Sequence, residues 1–260
     1  MQMRRYFSPA PFLIVTLVML LSLPIVAVFL LTSCGDDKST EPEQPLTVTD
    51  IDGNVYQTVK IGNKVWMAEN LKVTHYRNGD PIPNVVERSA WTALSTGAYC
   101  NYDNDTAIAA VYGRLYNWYA IDDSRNITPA GWHVATEEEW QQLEVSIGIS
   151  PATADSLGKH GTDEGGKLKE VDTTHWRSPN TGATNESGFT ALPGGGRDVT
   201  LDFLALYECS FFWSTEEYVG VPYGRALYRT MWYDESYISC DSYDKKDGFS
   251  VRCVKDQLTP

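Results

Sequence analysis

The sequence predicts an α+β domain with two main helices, many short strands and a loop-heavy C-terminal half. Three observations predict it. Trp132–Val134 reads as an extended segment running into a helix that Thr136 caps. Turn dipeptides punctuate short β-rich runs from Thr47 onward. Beyond Gly148, Gly- and Thr-rich loops separate apolar runs too short for long helices.

The first β-rich run carries Val55, Val59, Ile61, Val65 and Met67 between and after the turn pairs Asp52-Gly53 and Gly62-Asn63, which predicts a hairpin series. Asp50–Asn54 has the look of a calcium loop but lacks the bidentate glutamate such a loop needs, so calcium is not expected there. Asn78–Pro83 is a loop, and Ala98–Tyr102 a strand closing in Asp103-Asn104-Asp105. Those three short polar residues suit a cap for the next segment better than a hard-cation site.

Tyr112–Ile121 reads as the first main helix, with Tyr112, Leu115, Tyr116 and Tyr119 on one face as a core stripe. The second starts at Thr136. Its hydroxyl can accept from the Glu139 N–H while the Glu139 side chain returns to the Thr136 N–H. Glu137, Glu138 and Glu139 suit the positive end of the helix dipole, Trp140, Leu143 and Ile147 recur at helical spacing, and Gly148 ends the run. Short helical pieces are expected at 152–157 and 167–170. Phe211–Thr215, Arg225–Tyr228 and Phe249–Val254 read as strands. Gly194-Gly195-Gly196 precedes no helix, so a phosphate loop is not expected.

Residues 1–33 read as an export signal: Arg4 and Arg5, then a nearly unbroken apolar run from Phe12 to Leu31. Leu31-Thr32-Ser33-Cys34 resembles a bacterial lipobox, which makes Cys34 the lipidated N-terminal residue of the mature chain and the membrane a partner through that anchor. The alternative is an uncleaved membrane span, since about twenty apolar residues cross a bilayer. Residues 34–46 form a polar, proline-containing tether, 47–256 the folded domain, and 257–260 a tail.

The formal charge is −13, and losing Arg4 and Arg5 with the signal leaves about −15. So acidic a surface argues against nucleic acid as a partner. Eight Trp and fifteen Tyr either fill a helix-poor core or line a binding face. Cys100, Cys209, Cys240 and Cys253 remain in a compartment that permits disulfides, and no CxxC or Cys/His spacing indicates zinc. No cofactor is predicted, with calcium left open. The only histidines are His75, His133, His160 and His175, and no Gly-x-Ser-x-Gly elbow accompanies them. His133 reads as a structural hydrogen-bonder.

Six blocks carry a resemblance: Asp50–Leu71 with Trp66-Met67 and Asn70-Leu71, Tyr112–Ala120, Pro129–Val134, Gly165–Glu170, Gly188–Gly195 and Gly248–Val254. In this order they resemble the Fibrobacter succinogenes major paralogous domain. Its members are typically exported lipoproteins, which implies an outer-membrane or cell-surface location. More distantly, the Trp132–Trp140 block, Leu192-Pro193-Gly194 and the Arg252-Cys253 strand are similar to the sulfatase-modifying, formylglycine-generating fold. That is a C-type-lectin-like architecture of two helices, a twisted antiparallel sheet and long functional loops. Thr128 stands where the family often has a cysteine, so the usual partner of Cys253 is missing. Cys209 and Cys240, in strands expected to be neighbours, are then the expected pair, with Cys100 and Cys253 paired or free.

The resemblance implies a non-enzymatic surface binding module for a glycan or a surface protein. Sugar faces stack on aromatic rings while polar side chains bond the hydroxyls. Trp213, Glu216, Tyr218, Tyr223, Arg225, Trp232 and Asp234 are the candidate binding residues. Two other readings are a structural subunit of a surface assembly and a copper oxidase of the formylglycine-generating type. The oxidase needs two close reduced cysteines, which no spacing here marks.

Overall fold

The computed structural model describes residues 46–220 and 223–257. The chain divides into two units, Met1–Glu43 and Gln44–Pro260, and every described residue belongs to the second. The expected signal peptide, lipidated Cys34 and nearly all of the expected tether lie outside the described residues. No helix among the described residues is long and apolar enough to cross a membrane.

In chain order the elements are β1 (Thr47–Thr49), β2 (Val55–Ile61), β3 (Lys64–Met67), α1 (Arg88–Thr92), β4 (Tyr99–Cys100), α2 (Thr106–Tyr112), β5 (Leu115–Tyr116), α3 (Trp118–Ile121), β6 (Trp132–Val134) and α4 (Glu137–Ser146). There follow α5 (Pro151–Ala154), β7 (Gly158–His160), α6 (Glu164–Leu168), β8 (Gly194–Asp198), β9 (Asp202–Leu206), β10 (Cys209–Tyr218), β11 (Arg225–Trp232), β12 (Ile238–Asp244) and β13 (Cys253–Lys255). One sheet runs β1-β2-β3-β13-β6, a second β7-β12-β11-β10-β8-β9, and β4 pairs with β5. All ladders are antiparallel except β8 with β10. The fold is therefore α+β, dominated by curled antiparallel strands.

The predicted hairpins form, with β1 on β2 across Asp52-Gly53 and β2 on β3 across Gly62-Asn63. The Asp50–Asn54 loop is closed internally. Asp50 Oδ1 accepts from the Asp52 and Asn54 N–H groups, and Oδ2 from Asn54 Nδ2 and Tyr56 Oη. Asp105 caps α2 by accepting from the Ala107 N–H. The expected capping box at Thr136 is complete, and Gly148 follows α4 at φ 124°.

The helix expected over 112–121 does not exist. Helix α2 stops at Tyr112, Leu115-Tyr116 pair as a strand with Tyr99-Cys100, and α3 begins only after Asn117. Gly113 causes the break. It sits at φ 81°, and a Cβ there would come within 2.6 Å of Asn70 Cβ. Thus α4 is the one helix of ten residues, and the two-helix expectation reduces to α4 with five short helices among the described residues. The aromatic stripe is core all the same: Tyr112, Leu115 and Tyr116 are buried, Tyr119 partly so. Of Phe249–Val254, only the end joins a ladder, with isolated bridges at Phe249 and Ser250.

The expected Cys209–Cys240 disulfide is also absent. Strand β11 lies between the two, with Cys209 opposite Trp232 and Cys240 opposite Arg229. Two strand spacings of about 4.8 Å each exceed the reach of an S–S bridge. All four described cysteines are buried free thiols.

The aromatic core centres on Trp66, Trp140, Phe189 and Phe212, with Trp66 and Trp140 centroids 5.1 Å apart. Arg252 is fully buried against it. Its guanidinium lies 4.3 Å from the Phe189 ring centre and donates to the carbonyls of Met67, Phe189 and Thr190 and to Asn70 Oδ1. Five of the blocks that carry the family resemblance are joined by such bonds. Three supply Arg252 and its acceptors, and Asn70 also donates to Tyr112 O, and Lys169 N–H bonds within the Gly165–Glu170 turn that meets Ala191.

Helix α4 is fastened through its carboxylates. Glu137 and Glu144 hold Arg229, at 2.6 Å each, and Glu144 also meets His160 Nε2 at 3.0 Å. Glu139 takes Lys64 Nζ at 2.9 Å and His133 Nε2 at 2.8 Å, while His133 Nδ1 faces Asp256 at 2.6 Å. His133 is thus structural, as expected.

Candidate functional site

The seven candidate residues fall into four places. Trp213 is core: it is fully buried, and its indole Nε1 donates to Tyr116 O at 2.8 Å. Glu216 is a second cap on α4, accepting from the Glu137 N–H at 2.6 Å and from the Ser214 hydroxyl. Tyr218, Tyr223 and Arg225 lie at the turn end of the β10–β11 hairpin, where Tyr218 pairs with Arg225 and Tyr223 is 84% exposed. Trp232 and Asp234 lie at the other end of β11, which spans eight residues, or roughly 25 Å. One surface does not contain them all.

The end holding Trp232 and Asp234 borders a cleft of about 470 Å³ lined by residues 173–177 and 206–208. Both walls are built from the backbone outward. Trp176 pins the first: it is buried, and its Nε1 donates to Ala191 O at 2.9 Å. Beneath the neighbouring strand end, the buried Lys169 ammonium donates to the carbonyls of Thr181, Trp232 and Glu235 at 2.7–3.0 Å. Burial pulls that amine down to about 8, against the charges of Asp234 and Glu235. The second wall is the β9–β10 turn, tied to the first by Arg177 N–H to Tyr207 O at 2.7 Å and to β11 by Tyr233 N–H to Glu208 O at 2.8 Å.

Tyr207 is the exposed aromatic of the cleft, with half its surface in water. It sits at φ 67°, a left-handed conformation costly for a bulky side chain, and its carbonyl and N–H both hold neighbouring segments. Its ring meets Tyr112 edge-on at 5.9 Å, and Tyr112 meets His175 edge-on at 5.6 Å. Burial, then the neighbouring Tyr207 and Glu170, push the Tyr112 phenol up to about 12, so it stays neutral. His175 Nδ1 lies 2.8 Å from the Glu170 carboxylate. An Nδ1–H donates to that carboxylate, which fixes the orientation of the ring and leaves Nε2 free of protein partners among the described residues. Arg177 pairs with Glu208 and stacks over Tyr233 at 5.0 Å.

The cleft thus offers a half-exposed ring on a rigid turn, a fixed imidazole, an arginine–glutamate pair and the rim side chains Thr173 and Thr174. No hydroxyl or thiol among the described residues hydrogen-bonds His175, so no activated nucleophile accompanies it. Among the described residues no three His, Cys, Asp or Glu side chains are grouped to hold a metal. The four thiols lie in different parts of the core, and burial pushes Cys100 and Cys240 up to about 12 and raises Cys209 and Cys253 further.

Sequence reasoning missed Glu170, His175, Arg177, Tyr207 and Glu208. The 175–180 segment reads in sequence only as turn-rich, and nothing around Tyr207 marks it, because its significance comes from its backbone conformation.

No curated protein and no solved structure matches this chain. The sequence profile of one family does, over residues 59–255 of the 260. That stretch includes α4, both main sheets from β3 onward and the whole cleft, and the chain belongs to the Fibrobacter succinogenes major domain family.

Proposed function

We propose that the protein is an exported lipoprotein, anchored through Cys34, whose domain binds saccharide without chemistry in the cleft between residues 173–177 and 206–208. The observation that carries the reading is Tyr207: a half-exposed aromatic held at positive φ on a turn that is bonded to three other segments. Backbone strain of this kind persists where surrounding structure enforces it, and a rigid ring presents a stacking face at small entropic cost. Arg177, Glu208 and the rim threonines supply donors and acceptors for hydroxyls. Trp232, half-buried at the same end, extends the aromatic character. The lectin-like reading of the fold and the outer-membrane or surface location belong to this proposal. The acidic balance of the chain supports neutral sugars over phosphate-rich ligands.

The test is a glycan-array screen of the unit Gln44–Pro260, with calcium and with chelator. Reproducible hits are expected. Chelator sensitivity would reveal a calcium requirement. A blank array would contradict the reading and turn attention to a protein partner, with the domain as a subunit of a surface assembly.

A further inference from the structure

A second cavity, of about 270 Å³, lies between the first hairpin and the segment before β6. Its walls are mostly apolar: Ile51, Val73, Ile127, Pro129 and Ala130. Two charged residues join them, and their bonding differs. Asp50 has both carboxylate oxygens occupied by the closed 50–56 turn. Arg77 is fixed on one edge and exposed on the other. Its Nε donates to Thr128 O at 3.0 Å, and its Nη2 to Thr128 Oγ1, Pro129 O and Trp132 O at 2.7–2.9 Å. No carboxylate bonds this guanidinium among the described residues, and Nη1 has no protein acceptor there.

A guanidinium immobilised on one edge by neutral oxygens keeps its full charge and leaves Nη1 open to solvent or a ligand. A carboxylate matches such donors in geometry and charge, and the ordering entropy of the arginine is already spent. The apolar walls ask for a hydrocarbon attached to that carboxylate, and a cavity at or below the small end of ligand pockets limits it to a few carbons.

We propose that this cavity binds a short branched aliphatic carboxylate, with the acid on Arg77 and the hydrocarbon against Ile51, Val73 and Ile127. A free short-chain acid and the C-terminal residue of a peptide share that chemistry. The site is separate from the cleft and stands without the saccharide reading.

The experiment is equilibrium dialysis of labelled isovalerate, N-acetylvaline and neutral isovaleramide against the full chain in detergent. The same measurement is made on Ala130→Phe, which fills the cavity from an exposed position, and on Arg77→Gln. The acid is expected to bind at least about tenfold more tightly than the amide. Ala130→Phe is expected to abolish binding, and Arg77→Gln to remove the preference for the acid over the amide. Tighter binding of isovalerate identifies a free acid as the ligand source, and of N-acetylvaline a peptide terminus. Equal binding of acid and amide, binding undiminished in Ala130→Phe, or no binding of either acid overturns the proposal. Should Arg77→Gln fail to fold, the amide comparison and Ala130→Phe decide alone.

Discussion

The centre around Arg252 and the cleft around Tyr207 are built on opposite plans. Arg252 is a buried cation held wholly by neutral oxygens, three carbonyls and one side-chain amide, each supplied by a sequence block that marks the family. The cleft is half-exposed, carries its charges in pairs, and is lined by residues 173–177 and 206–208, which lie outside the family blocks, with Tyr112 and Glu170 of two such blocks behind them. The lesson is that the motifs of this family report how the domain is assembled. A ligand site would be placed by the loops on top, where backbone conformation decides which side chain faces water.

The comparison breaks if Arg252 proves dispensable. Arg252→Met strands several buried acceptors at about 1–3 kcal/mol each, so we expect a loss of about 3–5 kcal/mol in denaturant unfolding, or failure to fold. A change below about 1 kcal/mol would mean that the motif blocks do not converge there for stability.

The fastening of α4 comes next in size. Glu144→Gln removes the charge that faces both Arg229 and His160 in a fully buried site. We expect about 2–3 kcal/mol of destabilisation, with the remaining Glu137 limiting the damage. Equilibrium unfolding at neutral pH checks it.

The pH dependence then separates the charged clamps of α4 from the Arg252 centre. His133 is raised above 6.5, chiefly by the Glu139 hydrogen bond and despite desolvation, with Asp256 assisting. His160 is raised as well, because Glu144 and the Gly158 carbonyl outweigh its burial. Burial alone would raise Glu139, yet His133, Lys64 and the Thr136 N–H hold it at about 2. A raised histidine stabilises fully below its unfolded value of 6.5 and loses that contribution as pH climbs through the folded value. A depressed carboxylate stabilises above its unfolded value of 4.5 and loses that contribution as pH falls toward 2. Stability from these groups should therefore peak between pH 4.5 and 6.5. Thermal unfolding across pH should show the decline above 6.5 flattened in the double variant His133→Gln, His160→Gln. An unchanged slope would remove the imidazolium clamps from the account. Arg252, with neutral partners, should add nothing to the curve in this range.

Arg177→Gln is the mildest test. The pair with Glu208 is solvent-exposed, so the unfolding midpoint should stay where it is while saccharide selectivity changes. A large drop in the midpoint would make the cleft wall structural.

The same division explains what could be read in advance. The Thr136 cap and the two turn dipeptides were legible because caps and tight turns are decided by neighbours a few residues apart. The 112–121 stretch has helical periodicity, but Gly113 and the pairing of Leu115-Tyr116 with Tyr99-Cys100 override it, and that pairing is a tertiary fact. The Cys209–Cys240 expectation failed on strand order, which puts β11 between them. Trp213 and Trp232 look alike in sequence, and only sheet geometry makes one core and the other half-exposed. The cleft joins Tyr112, Glu170, His175 and Tyr207, positions too far apart for any local pattern to connect.

The most direct measurement is saccharide affinity and unfolding free energy on the same preparation of Tyr207→Gly. Glycine accepts φ 67° without strain and removes the whole side chain, ring included. Our account predicts stability within about 1 kcal/mol of the parent together with binding weakened by about tenfold or more. Full binding with the ring gone, or collapse of the fold with binding lost only in proportion, would contradict it.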